Sequence, residues 1–99
     1  MTIEVVESVV GSWDGVESGR MFGLPSFTVE DRLFALVDAD RLVITNLTEA
    51  GREELASRAP VEPFVTDGLT VARWAVVSLA DLDVAEPYLR RSYEAARRR

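Results

Sequence analysis

The chain has 99 residues, 47% apolar and 28% charged, with a formal net charge of −6. That describes one globular domain over residues 1–99, too short for a second core and too apolar to stay disordered. Cysteine, histidine and lysine are absent, which excludes disulfides, thiolate or imidazole metal ligands, and Ser–His or Ser–Lys nucleophiles.

The first periodic segment is Ile3–Trp13. Val6, Val9, Val10 and Trp13 follow the spacing of one buried helical stripe. Gly11, Gly15 and Gly19 then read as a helix end and a loop. Val16–Phe22 has strand character and is broken at Gly23-Leu24-Pro25. Gly23 is expected to take positive φ in a tight turn and Pro25 to fix its exit, so both are assigned structural roles. Ser26–Val29 alternates, with Phe27 and Val29 on one face. Glu30-Asp31 turns the chain into Arg32–Val37, a nearly unbroken apolar run expected to be covered on both faces. Asp38-Ala39-Asp40 turns again into Arg41–Thr45.

A helix is expected over Glu49–Arg58, capped by Thr48 and ended by Ala59-Pro60, with Glu49–Arg52 and Glu54–Arg58 spaced to pair. Pro63–Val65 reads as a short edge strand. Asp67-Gly68 is a hairpin signal, and Leu69–Leu79 is a long strand centred on Trp74. The last helix is placed at Val84–Arg98, with Asp83 and Glu86 as a capping box and Pro87 in its first turn. Its inward stripe is Ala85, Tyr88, Leu89, Ser92 and Ala96, flanked by Tyr93. The order is counted as α-β-β-β-α-β-β-α, an α+β domain with a five-stranded antiparallel sheet and helices packed on it.

Little chemistry is available. Asp38/Asp40 and Asp81/Asp83 are close carboxylate pairs, but they fall at turn and cap positions where Asp bonds locally. No glycine-rich loop has phosphate-binding spacing, and neither Asp pair continues as a calcium loop. No catalytic, cofactor or metal residues are therefore assigned, and an enzyme is not expected. Phe22, Phe27, Phe34, Phe64 and Trp74 fall on strands and are expected in the core. A small-ligand pocket near Trp74 and Tyr88 is a further option.

Charge is uneven. Residues 1–86 carry six arginines against sixteen acids, whereas residues 87–99 carry five arginines and only Glu94. Arg90, Arg91, Arg97 and Arg98 recur on one side of the last helix and are the candidate contact for nucleic acid or an acidic partner. An acidic body disfavours generic phosphate binding. As a solvated face, the same arginines complement the helix dipole and pair as Glu86–Arg90 and Glu94–Arg98. No apolar run reaches the ~20 residues that span a bilayer, and the acidic start MTIEVVES lacks the basic region of a secretory signal. A cytoplasmic location without membrane association is expected.

Met21-Phe22-Gly23 followed by Leu33-Phe34-Ala35, then Glu62-Pro63-Phe64, Trp74-Ala75-Val76-Val77 and a closing helix, resembles the N-terminal domain of the TfoX (Sxy) competence-regulator family. Phe27-Thr28-Val29, Arg32-Leu33-Phe34-Ala35 and the ending LRRSYEA over Leu89–Ala95 are similar to the related MmcQ/YjbR family. Both resemblances imply a small α+β domain like the secretion chaperones. The first implies a regulatory or adaptor module acting through protein contacts, and the second implies DNA binding through the basic last helix. The protein-contact expectation includes a homodimer, because the apolar runs Leu33–Val37 and Leu42–Ile44 supply more apolar sheet surface than three short helices cover.

Overall fold

Two-residue turns organise the sheet of the protein, which is described over residues 2–98 by a computed structural model. Phe22-Gly23 (φ 56° and 74°), Glu30-Asp31 (52° and 66°) and Asp67-Gly68 (47° and 78°) each place two successive residues in the left-handed region. This is the type I′ geometry, whose twist matches that of the strands it joins. The third turn of the meander has positive φ at Ala39 alone (55°).

The elements are α1 (Thr2–Val10), β1 (Val16–Met21), β2 (Leu24–Val29), β3 (Arg32–Asp38), β4 (Arg41–Ile44), α2 (Glu49–Ala56), β5 (Glu62–Thr66), β6 (Leu69–Ser78) and α3 (Leu82–Arg97). They form a single α+β domain with one antiparallel sheet in the order β1-β2-β3-β4-β6-β5. The sheet has six strands, which corrects the count of five. The turn after Asp38 reverses the chain completely, so Arg41–Ile44 pairs with β3 on one side and β6 on the other. Among the described residues no helix is long and apolar enough to cross a membrane.

Pro25 also departs from its expected place. It lies inside β2 opposite Arg20 and does not form the turn. In a two-residue hairpin the closing pair, here Met21 and Leu24, is hydrogen-bonded, so the next pair is not. Pro25 therefore has no N–H to offer β1 and needs none. The β2–β3 ladder begins only at Ser26.

All three helices cover one face of the sheet. Val6 and Val10 of α1, Leu55 of α2, and Ala85, Tyr88, Leu89, Tyr93 and Ala96 of α3 are buried against Phe27, Phe34, Val37, Leu42, Ile44 and Val77. A bulge aims Phe34 into this layer. Opposite Phe27 and Thr28 the register passes from Ala35 to Leu33, leaving Phe34 as the extra residue. Ser92, buried in α3, ties the helix to that bulge. Its Oγ donates to the Phe34 carbonyl at 2.7 Å and accepts from the Asn46 N–H at 3.0 Å.

The opposite face holds a second cluster of Leu36, Val43, Phe64 and Val76, flanked by Leu24, Leu33, Val71 and Trp74. No described helix residue belongs to it. It is buried because the sheet curls. Phe22, at the β1–β2 tip, meets the rings of Phe64 and Trp74 with centroids 5.9 and 6.1 Å apart. Those residues belong to β5 and β6, at the other side of the strand order.

The last helix begins earlier than its sequence signals suggest. A 3₁₀ turn at Leu79–Asp81 leads directly into Leu82, and Asp81 occupies the cap position without a side-chain bond. Asp83 is consequently inside the first turn. Pro87 is in the helix interior, where its missing N–H leaves the carbonyl of Asp83 without its helical donor.

Candidate functional site

The β1–β2 turn shapes the apolar feature of the second face. Type I′ geometry favours Asn, Asp or Gly at both central positions, yet the first is Phe22. Its ring packs on Phe64 and Trp74, and the residue remains 48% exposed. This corrects its assignment to the core. Met21 (39% exposed) belongs to the same hairpin, and Leu69 (52%) opens β6 on the face that carries Val71. Phe22, Phe64 and Trp74 pack together over the curled sheet, with Phe22 as the exposed aromatic lip. Trp74 belongs to this face and Tyr88 to the helix-covered one, so no pocket between sheet and last helix brings them together.

Gly23 follows Phe22 at φ 74°, with no atom within 4 Å of where a Cβ would stand. Its carbonyl accepts a bond from Arg20 Nη1 at 2.9 Å. Gly23→Ala meets no clash, only the backbone penalty of the left-handed region. The expected loss is about 1 kcal/mol of stability, measurable by urea denaturation. A variant as stable as the wild type would show that the turn relaxes out of positive φ.

The arginine face of α3 has a different character. Arg90 Nε pairs with Glu94 Oε2 at 3.0 Å, and its guanidinium lies 5.0 Å from the Trp13 ring and 5.1 Å from that of Tyr93. Arg91 reaches Glu54 at 3.3 Å across to α2 and stacks on Tyr88 at 4.7 Å. Arg97 lies 3.8 Å from Asp14 and 5.5 Å from the Tyr93 ring. Arg98 has no side-chain partner among the described residues. Arg90 and Glu94 pair with each other, in place of the expected Glu86–Arg90 and Glu94–Arg98 pairs. In α2, Arg52 donates to the carbonyls of Leu47 and Arg73, where a pair with Glu49 was the expectation. Arg90, Arg91 and Arg98 line a groove of about 320 Å³ shared with Asn46, Leu47 and Thr48.

No protein-family model and no curated protein sequence matches the chain.

Glu54 joins the helices. The Tyr88 hydroxyl donates to its Oε2 at 3.0 Å, and Arg91 bonds its other oxygen. The Tyr88 bond, then Arg91, holds the carboxyl below the ordinary glutamate range, while burial and the same bond push the Tyr88 hydroxyl up. Because the folded-state pKa of Glu54 is depressed, its contribution to stability is present above roughly pH 4.3, the unfolded value. That contribution is lost as pH falls through the lower folded value. Tyr88 acts at the other end: its contribution holds below roughly pH 10 and is lost as pH rises through the raised value. Glu54→Gln should melt below the wild type at pH 7, and the gap should close as pH drops below 4. A gap independent of pH would mean that the carboxylate charge is not what matters.

Sequence reasoning finds the arginines but not their engagement, because Glu54 and Asp14 are distant in sequence from α3. It also misses the lip. A phenylalanine directly before the turn glycine was its only signal.

Proposed function

We propose that the chain is a regulatory or adaptor binding module of the TfoX N-terminal-like type, without catalysis of its own, acting through protein contacts at the aromatic lip. The observation that supports this reading is Phe22. A bulky residue in the left-handed region costs on the order of 1–2 kcal/mol, and Phe22 is nevertheless about half exposed to solvent. Closing the sheet accounts for its inner face. An apolar group on a partner protein would account for its outer face. Asn suits the same turn position, so Phe22→Asn should keep the fold while removing the lip. In parallel captures from the native host, a partner held by the wild type should be lost with Phe22→Asn. A partner retained equally by both proteins would sink the reading.

Duplex DNA contact through α3, as the MmcQ/YjbR-like resemblance implies, is the alternative. Arg98, without a side-chain partner among the described residues, and the basic balance of residues 87–99 favour it. The carboxylates already facing Arg90, Arg91 and Arg97 weigh against it. If this reading holds, retardation of duplex DNA at low salt should fall steeply with added salt and vanish when the four arginines are replaced.

A further inference from the structure

We infer that the open edge of β1 pairs antiparallel with β1 of a second copy of this chain, about a two-fold axis through Ser18. The inference deepens the protein-contact reading, on which it rests, by naming one partner.

The hydrogen-bond phase of the β1–β2 hairpin supplies the first argument. With Met21–Leu24 as the closing hydrogen-bonded pair, Gly19–Ser26 and Glu17–Thr28 are also hydrogen-bonded pairs. The backbone groups of Arg20, Ser18 and Val16 therefore point away from β2. Among the described residues none of them makes a backbone bond to a turn, loop or cap. Their positions are symmetric about Ser18. A two-fold pairing centred there sets Ser18 against Ser18 and Val16 against Arg20, which matches all three outward residues on each copy.

The two edges of the sheet also differ. β1 pairs without a register shift, contains no proline and is exposed along almost its whole length. β5, the other edge, carries Pro63 and a shift between Pro63 and Phe64. Both are devices that block strand addition. Pairing β1 to β5 would propagate a filament, whereas β1 to β1 closes as a dimer.

Charge complementarity identifies the occupant as a second copy. Val16 packs against the helix-side core, and unbroken alternation puts Ser18 and Arg20 on that same face. A groove of about 230 Å³ opens there, lined by Glu7, Val10, Gly11, Val16, Ser18 and Phe27. Residues directly opposite in an antiparallel pair share a face. Arg20 of the second copy, opposite Val16, therefore lies over this groove beside Glu7, and the reciprocal contact forms by symmetry. Within one chain Arg20 uses a single nitrogen, on the Gly23 carbonyl. Glu7 has no side-chain partner among the described residues. The remaining cross-strand pair sets Glu17 against Gly19, which is neutral.

Sedimentation equilibrium from micromolar to roughly millimolar concentration tests the pairing. The wild type should dimerise. Ser18→Pro removes an outward N–H that the β1–β2 ladder does not use, so the variant should stay folded by circular dichroism and become monomeric. Arg20→Glu, a surface change that does not depend on proline being tolerated, should raise the dimer dissociation constant by at least about tenfold. Adding Glu7→Arg to the same chain should restore it. A wild type that remains monomeric throughout overturns the inference, as does a dimer indifferent to both Ser18→Pro and Arg20→Glu. A dimer dissolved by Phe22→Asn but not by Ser18→Pro also overturns it, while leaving the lip as a protein contact. Loss of Phe22-dependent capture with the Ser18-dependent dimer intact refutes the lip and leaves the β1 pairing standing.

Discussion

Tyr93→Ala is expected to lower the unfolding free energy by about 3–5 kcal/mol, the usual cost of removing a buried aromatic side chain. Tyr93 is fully buried in α3 and joins segments far apart in the chain. Its ring lies 5.0 Å from Trp13, beyond the end of α1, and 5.4 Å from Phe34 at the β3 bulge. Its hydroxyl donates to the Asp14 carbonyl at 2.5 Å. The guanidinium groups of Arg90 and Arg97 stack on the ring from the solvent side. Truncation thus removes the floor on which the segment after α1 rests, and domains of this kind have only about 5–15 kcal/mol in total. Tyr93→Phe separates packing from hydrogen bonding. It retains the rings and should cost only about 0.5–1.5 kcal/mol. Urea denaturation of both variants reads the difference. Near-equal losses would assign the effect to the hydroxyl and refute the packing account.

The same residue marks how far the sequence could be read. Periodicity alone places Ala85, Tyr88, Leu89, Ser92 and Ala96 on the inward face of the last helix, and the structure buries all of them. Turn chemistry is legible at Asp67-Gly68 because that dipeptide favours positive φ by its composition. It is less legible at Glu30-Asp31 and at Ala39, where ordinary residues are held in the same region by the strands on either side. All six strand runs are legible in chain order, Arg41–Thr45 among them, and the count of five simply leaves one of them out. What local signals cannot say is that this run pairs with β6, far along the chain. The start of α3 is misplaced for a related reason. Ser78 caps a preceding 3₁₀ turn through its bond to the Ala80 N–H, so the helix is entered before Asp83. The candidate arginines are visible as a row, but their charge partners come from α2 and from the segment after α1. The curl that makes Phe22 a neighbour of Phe64 and Trp74 depends on accumulated twist across the whole sheet, which no local pattern encodes.

That curl has its own consequence. Phe64→Ala should cost about 3 kcal/mol or more, although Phe64 sits on an edge strand where truncation is usually mild. An open, flat sheet would leave the face that carries Phe64 to solvent, and removing the ring would then cost little. In the curled sheet Phe64 is 2% exposed and lies under both Phe22 and Trp74, with ring centroids 5.9 and 5.5 Å away. It is the piece that lets Leu36, Val43 and Val76 be dry without a helix over them. Its loss should therefore do two things together. Global stability falls, and Trp74 becomes more solvent-exposed, shifting its fluorescence to the red while Trp13, on the opposite face, keeps its surroundings. The Phe22 ring would also lose its seat, so the lip should fail in partner capture even under conditions where the variant is folded. If Phe64→Ala costs less than about 1 kcal/mol, the sheet is not closed by these rings. The strain at Phe22 would then have no structural return, and the lip would no longer be a defined surface.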